Sequence, residues 1–400
     1  MLNYGNFNKV IINHWKFMTD SKDNLPIPRS GRGIANSGHG SQAIVNGMVK
    51  DVLDGARALV KPKLHKLGNF ELCEPDYQQI LLWAKLNDIS PEDLISRLSP
   101  AEPDFINTML DETLSIDKTK ISIDVKNGRI FGLYVCADEA GRSKRFICSF
   151  LAEWVPGLIV ETLVVREVDI GKLVLENLNQ LKFLEIKMTT LTELDLSNVP
   201  KLTTLNCDSN ELSELDLSNV PNLTALGCGF NKLTALDLSN VANLTKLDCK
   251  SNQLKELDLS KVANLTELGC MWNELSELDL SDVPNLESLS CVYNKLTALD
   301  LSKVANLTAL GCGFNELTAL DLSKVANLTA LGCGDNGLTE LDLSNVLNLT
   351  TLNCSGNQLT ELDLSKVLNL TTLACDENII THLDVSMVVN ITRRSKDDHW

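Results

Sequence analysis

Twelve cysteines are the first residues in this 400-residue chain that could do chemistry. A count that high raises zinc binding and disulfide pairing. The spacing argues against both. Nine of the twelve recur every 21 residues, at Cys207, Cys228, Cys249, Cys270, Cys291, Cys312, Cys333, Cys354 and Cys375. No Cys-x-x-Cys pair occurs, and no histidine is placed to complete a tetrahedral site. Disulfides between equivalent positions of parallel strands need a geometry that such a ladder seldom offers. The series therefore reads as stacked, buried, reduced thiols, with cysteine used as a small core residue. Cys73, Cys136 and Cys148 stand outside the series with no evident histidine partner.

The other reactive side chains assemble no catalytic set. Of the histidines His14, His39, His65, His382 and His399, only His382 falls within the periodic region. No nucleophile, base and metal come together in the pattern, so the chain reads as a non-enzyme with no metal and no cofactor. Asp195 to Asp384 form a ten-member column at the same 21-residue spacing. Like charges stacked that way repel. Either each carboxylate accepts hydrogen bonds from hydroxyls such as that of Ser218, or cations line the column; the first is the expectation. Eight Asn-x-Thr sequons, at Asn222, Asn243, Asn264, Asn306, Asn327, Asn348, Asn369 and Asn390, are by-products of a repeated Asn-Leu-Thr. Gly38-His-Gly40-Ser-Gln-Ala43 imitates a dinucleotide fingerprint, but no strand precedes it.

One column carries a different kind of chemistry. The position before the repeated asparagine reads Ser209, Phe230, Ser251, Trp272, Tyr293, Phe314, Asp335, Gly356, Glu377. Four aromatics fall in five consecutive units of a chain that is only 5% aromatic, so the clustering calls for a cause. The rings either pack beneath a turn or form an exposed stripe over a floor of small residues (Gly227, Gly229, Gly269, Gly311, Gly313, Gly332, Gly334). The second reading makes Phe230, Met271, Trp272, Val292, Tyr293 and Phe314 the candidate partner-binding residues, since exposed aromatics anchor protein interfaces. A glycan stacked on the rings is the second possibility, and a purely structural spacer the third.

The elements that position these columns follow from one repeat. A unit runs Leu202-Thr-Thr-Leu205-Asn-Cys207-Asp-Ser-Asn210-Glu-Leu212-Ser-Glu-Leu215-Asp216-Leu217-Ser218-Asn-Val220-Pro-Asn222, and nine such units reach Asn390. Two degenerate units precede them. Leu181 to Lys201 has Ile186 for cysteine and Thr189 for asparagine, and Val160 to Gln180 keeps only the apolar spacing. Units Leu223–Asn243 and Leu307–Asn327 differ only at Lys232 against Glu316 and Asn240 against Lys324, which points to duplication. Leu205 and Cys207 lie two apart, hence on one face of a short strand, with residues 204, 206 and 208 on the other. Stacked units would pair those strands about 4.8 Å apart in a parallel sheet. A single unit cannot bury its leucines, but a stack can. The asparagine is expected inside the turn after the strand, where its amide satisfies backbone groups.

The pattern Leu-x-x-Leu-x-Cys-x-x-Asn-x-Leu resembles the leucine-rich-repeat family, and the 21-residue unit with a strand cysteine is most similar to the cysteine-ladder repeats of bacterial internalin-type proteins. The resemblance covers residues 160–390. It implies an α/β solenoid with a curved parallel sheet; the variable strand positions and the aromatic column point to a protein partner on the concave face, in a bacterial surface or exported protein. Some bacterial leucine-rich-repeat effectors carry a C-terminal ubiquitin-ligase domain; here ten residues follow Asn390.

The rest of the chain divides by composition into a flexible N-terminal segment (1–42), rich in Ser, Gly, Pro and Asn from residue 19, a helical region (43–117), an N-terminal solenoid cap (118–159), the repeats (160–390) and a charged tail (391–400). In the helical region, Val45 to Leu59, Pro75 to Leu86, the stretch after Ser90-Pro91-Glu92-Asp93, and Phe105 to Leu114 carry helical patterns. Ile121 to Val125 and Ile130 to Val135 flank Asn127-Gly128, a hairpin signal, and Phe146 to Leu158 would complete the cap with a short helix. The net charge of −17 repels phosphate backbones and anionic lipid, so neither nucleic acid nor a membrane surface is an expected partner. No apolar run reaches the roughly 18 residues of a membrane span. Met1 to Asp20 shows no secretory signal, and Met18 is an alternative start, which leaves the cytoplasm or export without a classical signal.

Overall fold

Each 21-residue unit folds into one three-residue strand and a return path made of tight turns. The computed structural model describes residues 64–67, 70–86, 90–97, 99–100, 120–126, 129–136, 156, 158–167, 170, 173–384 and 392–393. Nine equivalent strands run from β8 (Thr204–Asn206) to β16 (Thr372–Ala374). Before them lie β6 (Thr162–Arg166) and β7 (Phe183–Lys187), from the degenerate units, and after them β17 (Thr392–Arg393), inside the expected tail. All pair in parallel, each with its sequence neighbour. The register repeats rung by rung, as in Leu247 opposite Leu226 on one side and Leu268 on the other. The chain is thus the expected parallel-sheet leucine-rich-repeat solenoid.

Side-chain alternation separates the two faces. The central strand leucines and the cysteine after them point inward, and Leu205, Leu247, Leu268, Cys207 and Cys249 are all 0% exposed. The return path adds further inward columns, among them Leu212, Leu217 and Val220. The core is therefore one continuous apolar column shared by neighbouring units, which is why no unit could stand alone. None of the nine ladder cysteines is in a disulfide and, Cys375 apart, all are buried. Burial pushes Cys291 and Cys333 up to about 12.

The asparagine ladder does more than close its own turn. Asn273 Nδ2 donates to Cys270 O at 3.1 Å within its unit and to Cys249 O at 3.0 Å in the unit before, while its Oδ1 accepts from Leu254 N at 3.0 Å. Each asparagine is therefore a clip between two rungs. Thr189, which stands where Asn would in the degenerate unit, points its hydroxyl at Asn210 Oδ1 at 2.7 Å and so joins the ladder from below. Two more columns clip the outside: Thr224 Oγ1 donates to Thr203 O at 3.0 Å, and the sequon residue Asn243 donates Nδ2–H to Pro221 O at 3.1 Å.

The aspartate column makes turns. Asp216 Oδ1 accepts the Ser218 N–H at 2.9 Å, and the same bond recurs in unit after unit. The expectation named the serine hydroxyl as donor; the backbone N–H is the larger contributor in holding Asp216 below its ordinary value, with the hydroxyl second. Among the described residues no group of three His, Cys, Asp or Glu side chains is arranged to hold a metal ion.

The N-terminal side is mixed. Helix α1 (Glu74–Leu86) buries Ile80 and Trp83. Helix α2 (Pro91–Arg97) starts as read, with Asp93 N–H donating to Ser90 Oγ at 3.0 Å. The region expected to be helical also contains short strands. The antiparallel pair β1 (His65–Leu67) and β2 (Phe70–Leu72) precedes α1, and β3 (Ser99–Pro100) follows α2. Each is too short for an alternation to show in sequence. The hairpin around Asn127-Gly128 is β4 (Lys120–Lys126) with β5 (Arg129–Cys136), and β5 pairs in parallel with β6, so the hairpin continues the solenoid sheet. Leu133 joins the common core at 0% exposure. The helices expected at Val45 to Leu59 and Phe105 to Leu114, and most of Phe146 to Leu158, lie outside the described residues.

Candidate functional site

The column that carries the aromatics occupies one backbone conformation throughout. From Glu167 and Met188 through Phe230, Trp272, Tyr293 and Phe314 to Glu377, every residue has a left-handed φ between +52° and +66°. The cause lies in the neighbouring rung. Phe230 N–H donates to Lys250 O at 2.8 Å, and Trp272 N–H to Val292 O at 2.9 Å, so the chain must turn there to stay in register. A non-glycine residue in this region costs about 1–2 kcal/mol. Only Gly356 in the column escapes that cost. Bulky rings at four such positions are therefore kept against local preference.

The rings lie on the outside of the turn. Phe230 is 52% and Trp272 51% exposed, while Tyr293 and Phe314 are half-buried by each other. Trp272 and Tyr293 stack with centroids 3.9 Å apart, and Tyr293 and Phe314 at 4.0 Å. Met271 and Val292, also half-buried, stand beside them at the strand ends. Five of the six candidate residues are thus contiguous, three in one stack and two flanking it, and Phe230 sits two rungs away across Ser251. Burial, with the Asp335 carboxylate second, raises the Tyr293 phenol above its ordinary value.

The sheet beside the column changes character along its length. The early rungs carry ion pairs: Arg166 with a fully enclosed Glu185, Lys187 with Asp208 at 3.7 Å, Lys250 with Asp248 at 2.7 Å, and Lys246 with Glu267 at 2.7 Å. Burial, reinforced by Asp248, pushes Asp208 up to about 6 against the pull of Lys187 and Lys250 and of the Gly229 N–H that donates to it at 2.7 Å. The later rungs are small and closely set. A Cβ added to Gly313 would stand 2.8 Å from Gly334 O and one at Gly334 3.0 Å from Ser355 O, so these two positions have no room for a side chain. Ser288 and Ser290, on either side of Leu289, face this way, and among the described residues their buried hydroxyls meet no hydrogen-bond partner.

Sequence reading located the aromatic column and the glycine floor. It missed the ion-pair network, for which Lys250 two residues after Asp248 on one strand face was the available signal.

No family model and no curated protein matches the chain. Solved structures do. The functional domain of InlJ from Listeria monocytogenes, which includes a cysteine ladder, is similar at 39% identity with a TM-score of 0.55. The match covers 57% of this chain and 52% of that one, about half its length. An internalin of the same species, InlF, is similar at 20% identity and a TM-score of 0.52, over 68% of this chain and 92% of that. A leucine-rich-repeat protein of Leptospira interrogans follows at 21% identity and 0.51, over 66% and 74%. The last two are likenesses of fold alone. The chain is a leucine-rich-repeat solenoid. Its repeat is of the internalin-like, cysteine-ladder type.

Proposed function

We propose that the protein is a binding module that holds a protein partner against its concave face, with Phe230, Met271, Trp272, Val292, Tyr293 and Phe314 as the contact. The observation that carries this reading is the line of rings at left-handed backbone positions, two of them exposed and two half-buried in the stack. Local backbone preference favours glycine there and stacking no more than offsets that cost, so folding alone gives no reason for rings, and a use outside the fold accounts for them. Stacking fixes their orientation in advance, which lowers the entropy lost on binding. The tightly packed glycine floor lets a partner approach the backbone, and solenoids present extended concave surfaces for such contacts. The internalin-like repeat supports a bacterial surface or exported protein as the setting.

The test is capture from bacterial and host lysates by wild type beside the Phe230/Trp272/Tyr293/Phe314→Ala variant with unchanged circular dichroism. A protein held by wild type and lost by the variant is the expected result. Equal capture by both would move the site to the N-terminal region, and a hit on a glycan array instead of a protein would replace the partner class.

A further inference from the structure

The aromatic column has one missing rung with a ring on either side. Phe230 and Trp272 flank Ser251, and the backbone runs through all three without change. Their φ values are 53°, 53° and 58°, and Ser251 N–H donates to Met271 O at 2.8 Å as its neighbours do to theirs. Only the ring is missing, with a serine side chain in its place. We propose that this gap is a slot for one planar aromatic side chain of the protein partner, clamped between Phe230 and Trp272. The proposal rests on the concave-face reading above and names the chemistry recognised there.

The width supports a single ring. Two strand spacings separate the Phe230 and Trp272 rungs by about 9.6 Å. A ring held on both faces at the 3.9 and 4.0 Å seen in the adjoining stack needs about 8 Å between its walls, and two inserted rings need about 12 Å. One ring fits with slight closure, and a second does not. The exposure agrees: Phe230 and Trp272, the two rings that border the gap, are each about half exposed, with the Lys250 ammonium over the Phe230 ring at the slot.

The side wall favours an electron-rich ring. The Lys250 stem lies over Gly229, where a Cβ would stand 2.9 Å from Lys250 Cγ, so glycine is required for that path. Its ammonium is 2.7 Å from Asp248 Oδ2 and 5.6 Å from the Phe230 centroid. A cation at the slot mouth attracts the face of an indole or phenol. A sugar fits less well, because a pyranose chair is not flat between parallel walls.

The test titrates N-acetyl-L-tryptophanamide into the full chain, followed by saturation-transfer NMR, with the N-acetylglucosamine trimer as a second probe. Four proteins are compared: wild type, Ser251→Ala, Ser251→Phe and Phe230→Ala. Wild type and Ser251→Ala, whose slots are open, are expected to bind the tryptophan probe. Ser251→Phe fills the slot with its own ring and Phe230→Ala removes a wall, so both should weaken binding about tenfold or more. Unchanged melting of Ser251→Phe would show that the slot, not the fold, was altered; if that variant fails to fold, the Ser251→Ala and Phe230→Ala pair decides. Binding to Ser251→Phe equal to wild type, or no binding to wild type, would overturn the slot. A response to the trimer alone would overturn the choice of occupant. In lysate capture, loss by the quadruple alanine variant with retention by Ser251→Phe would overturn the slot and leave the face standing; retention by both would remove the face.

Discussion

Two alanine substitutions in the same asparagine ladder should differ in cost, and the hydrogen bonds say which way. In the middle of the stack, Asn273→Ala takes the acceptor from one buried backbone group, Leu254 N–H. The carbonyls of Cys249 and Cys270 keep a donor, because Asn252 also reaches the first at 3.0 Å and Asn294 the second at 3.0 Å. An orphaned buried N–H costs about 1–3 kcal/mol, and the weakened carbonyls and lost packing bring the total to about 2–4 kcal/mol. At the lower end, Asn210 Oδ1 serves three donors: Thr189 N at 3.0 Å, Thr189 Oγ1 at 2.7 Å and Leu191 N at 3.3 Å. Asn210→Ala therefore orphans two buried N–H groups and a hydroxyl, and should cost about 1–3 kcal/mol more. Urea unfolding by circular dichroism gives the midpoint. Native-state hydrogen exchange across residues 186–212 and 249–275 shows where each variant opens, since a stacked array can unfold in parts. Equal losses, the opposite order, or losses below about 1 kcal/mol in both would refute the clip assignment.

The ladder thiols, buried and with Cys291 and Cys333 pushed up to about 12, should resist iodoacetamide at pH 8 until the chain unfolds, with half-exposed Cys375 modified first among the nine; peptide mapping of a labelling time course checks this. Asp216 and its equivalents are held below the ordinary carboxylate value by serine N–H groups, so their stabilisation is complete above about pH 4 and lost as pH falls through the lower folded values. Asp208, raised to about 6, acts oppositely: between about pH 6 and 4 the folded state takes up its proton first and gains stability as pH falls. Melting temperature should hold or rise slightly from pH 7 to 5, then drop steeply below 4, and a flat profile down to pH 3 would contradict both assignments. Phe314→Gly relieves the φ of +52° and gives up one stack, terms of about 1–2 and 0.5–1.5 kcal/mol that nearly cancel, whereas Leu310→Ala, 0% exposed four residues earlier, should cost about 2–5 kcal/mol by thermal melting.

What the sequence made legible is what the 21-residue period repeats: the leucine and cysteine columns, the ladder asparagine and the line of aromatics. A fixed period puts like residues at like places, so a column is visible before its surroundings are known. The left-handed backbone under the aromatics was hidden, because the turn is imposed by hydrogen bonds to the next rung and not by the residue's own preference. Serine, phenylalanine, tryptophan and glutamate occupy it beside a single glycine. The asparagine's reach into the preceding unit and the stacking of Tyr293 between Trp272 and Phe314 are likewise relations between rungs. Ser251 drew no notice as a residue; it matters because rings stand on both sides of it. Strands β1 and β2, three residues each, left no alternation to read.

The central claim is that the partner lies on the concave face. Site-specific photocrosslinking tests it most directly, with p-benzoyl-L-phenylalanine placed at Val292 beside the ring stack or at exposed Asp282 on the return path. The account predicts a crosslinked partner from position 292 that is competed away by unmodified protein, and none from 282. Crosslinking from 282 with none from 292 would put the contact on another face and leave the aromatic column without the role assigned to it.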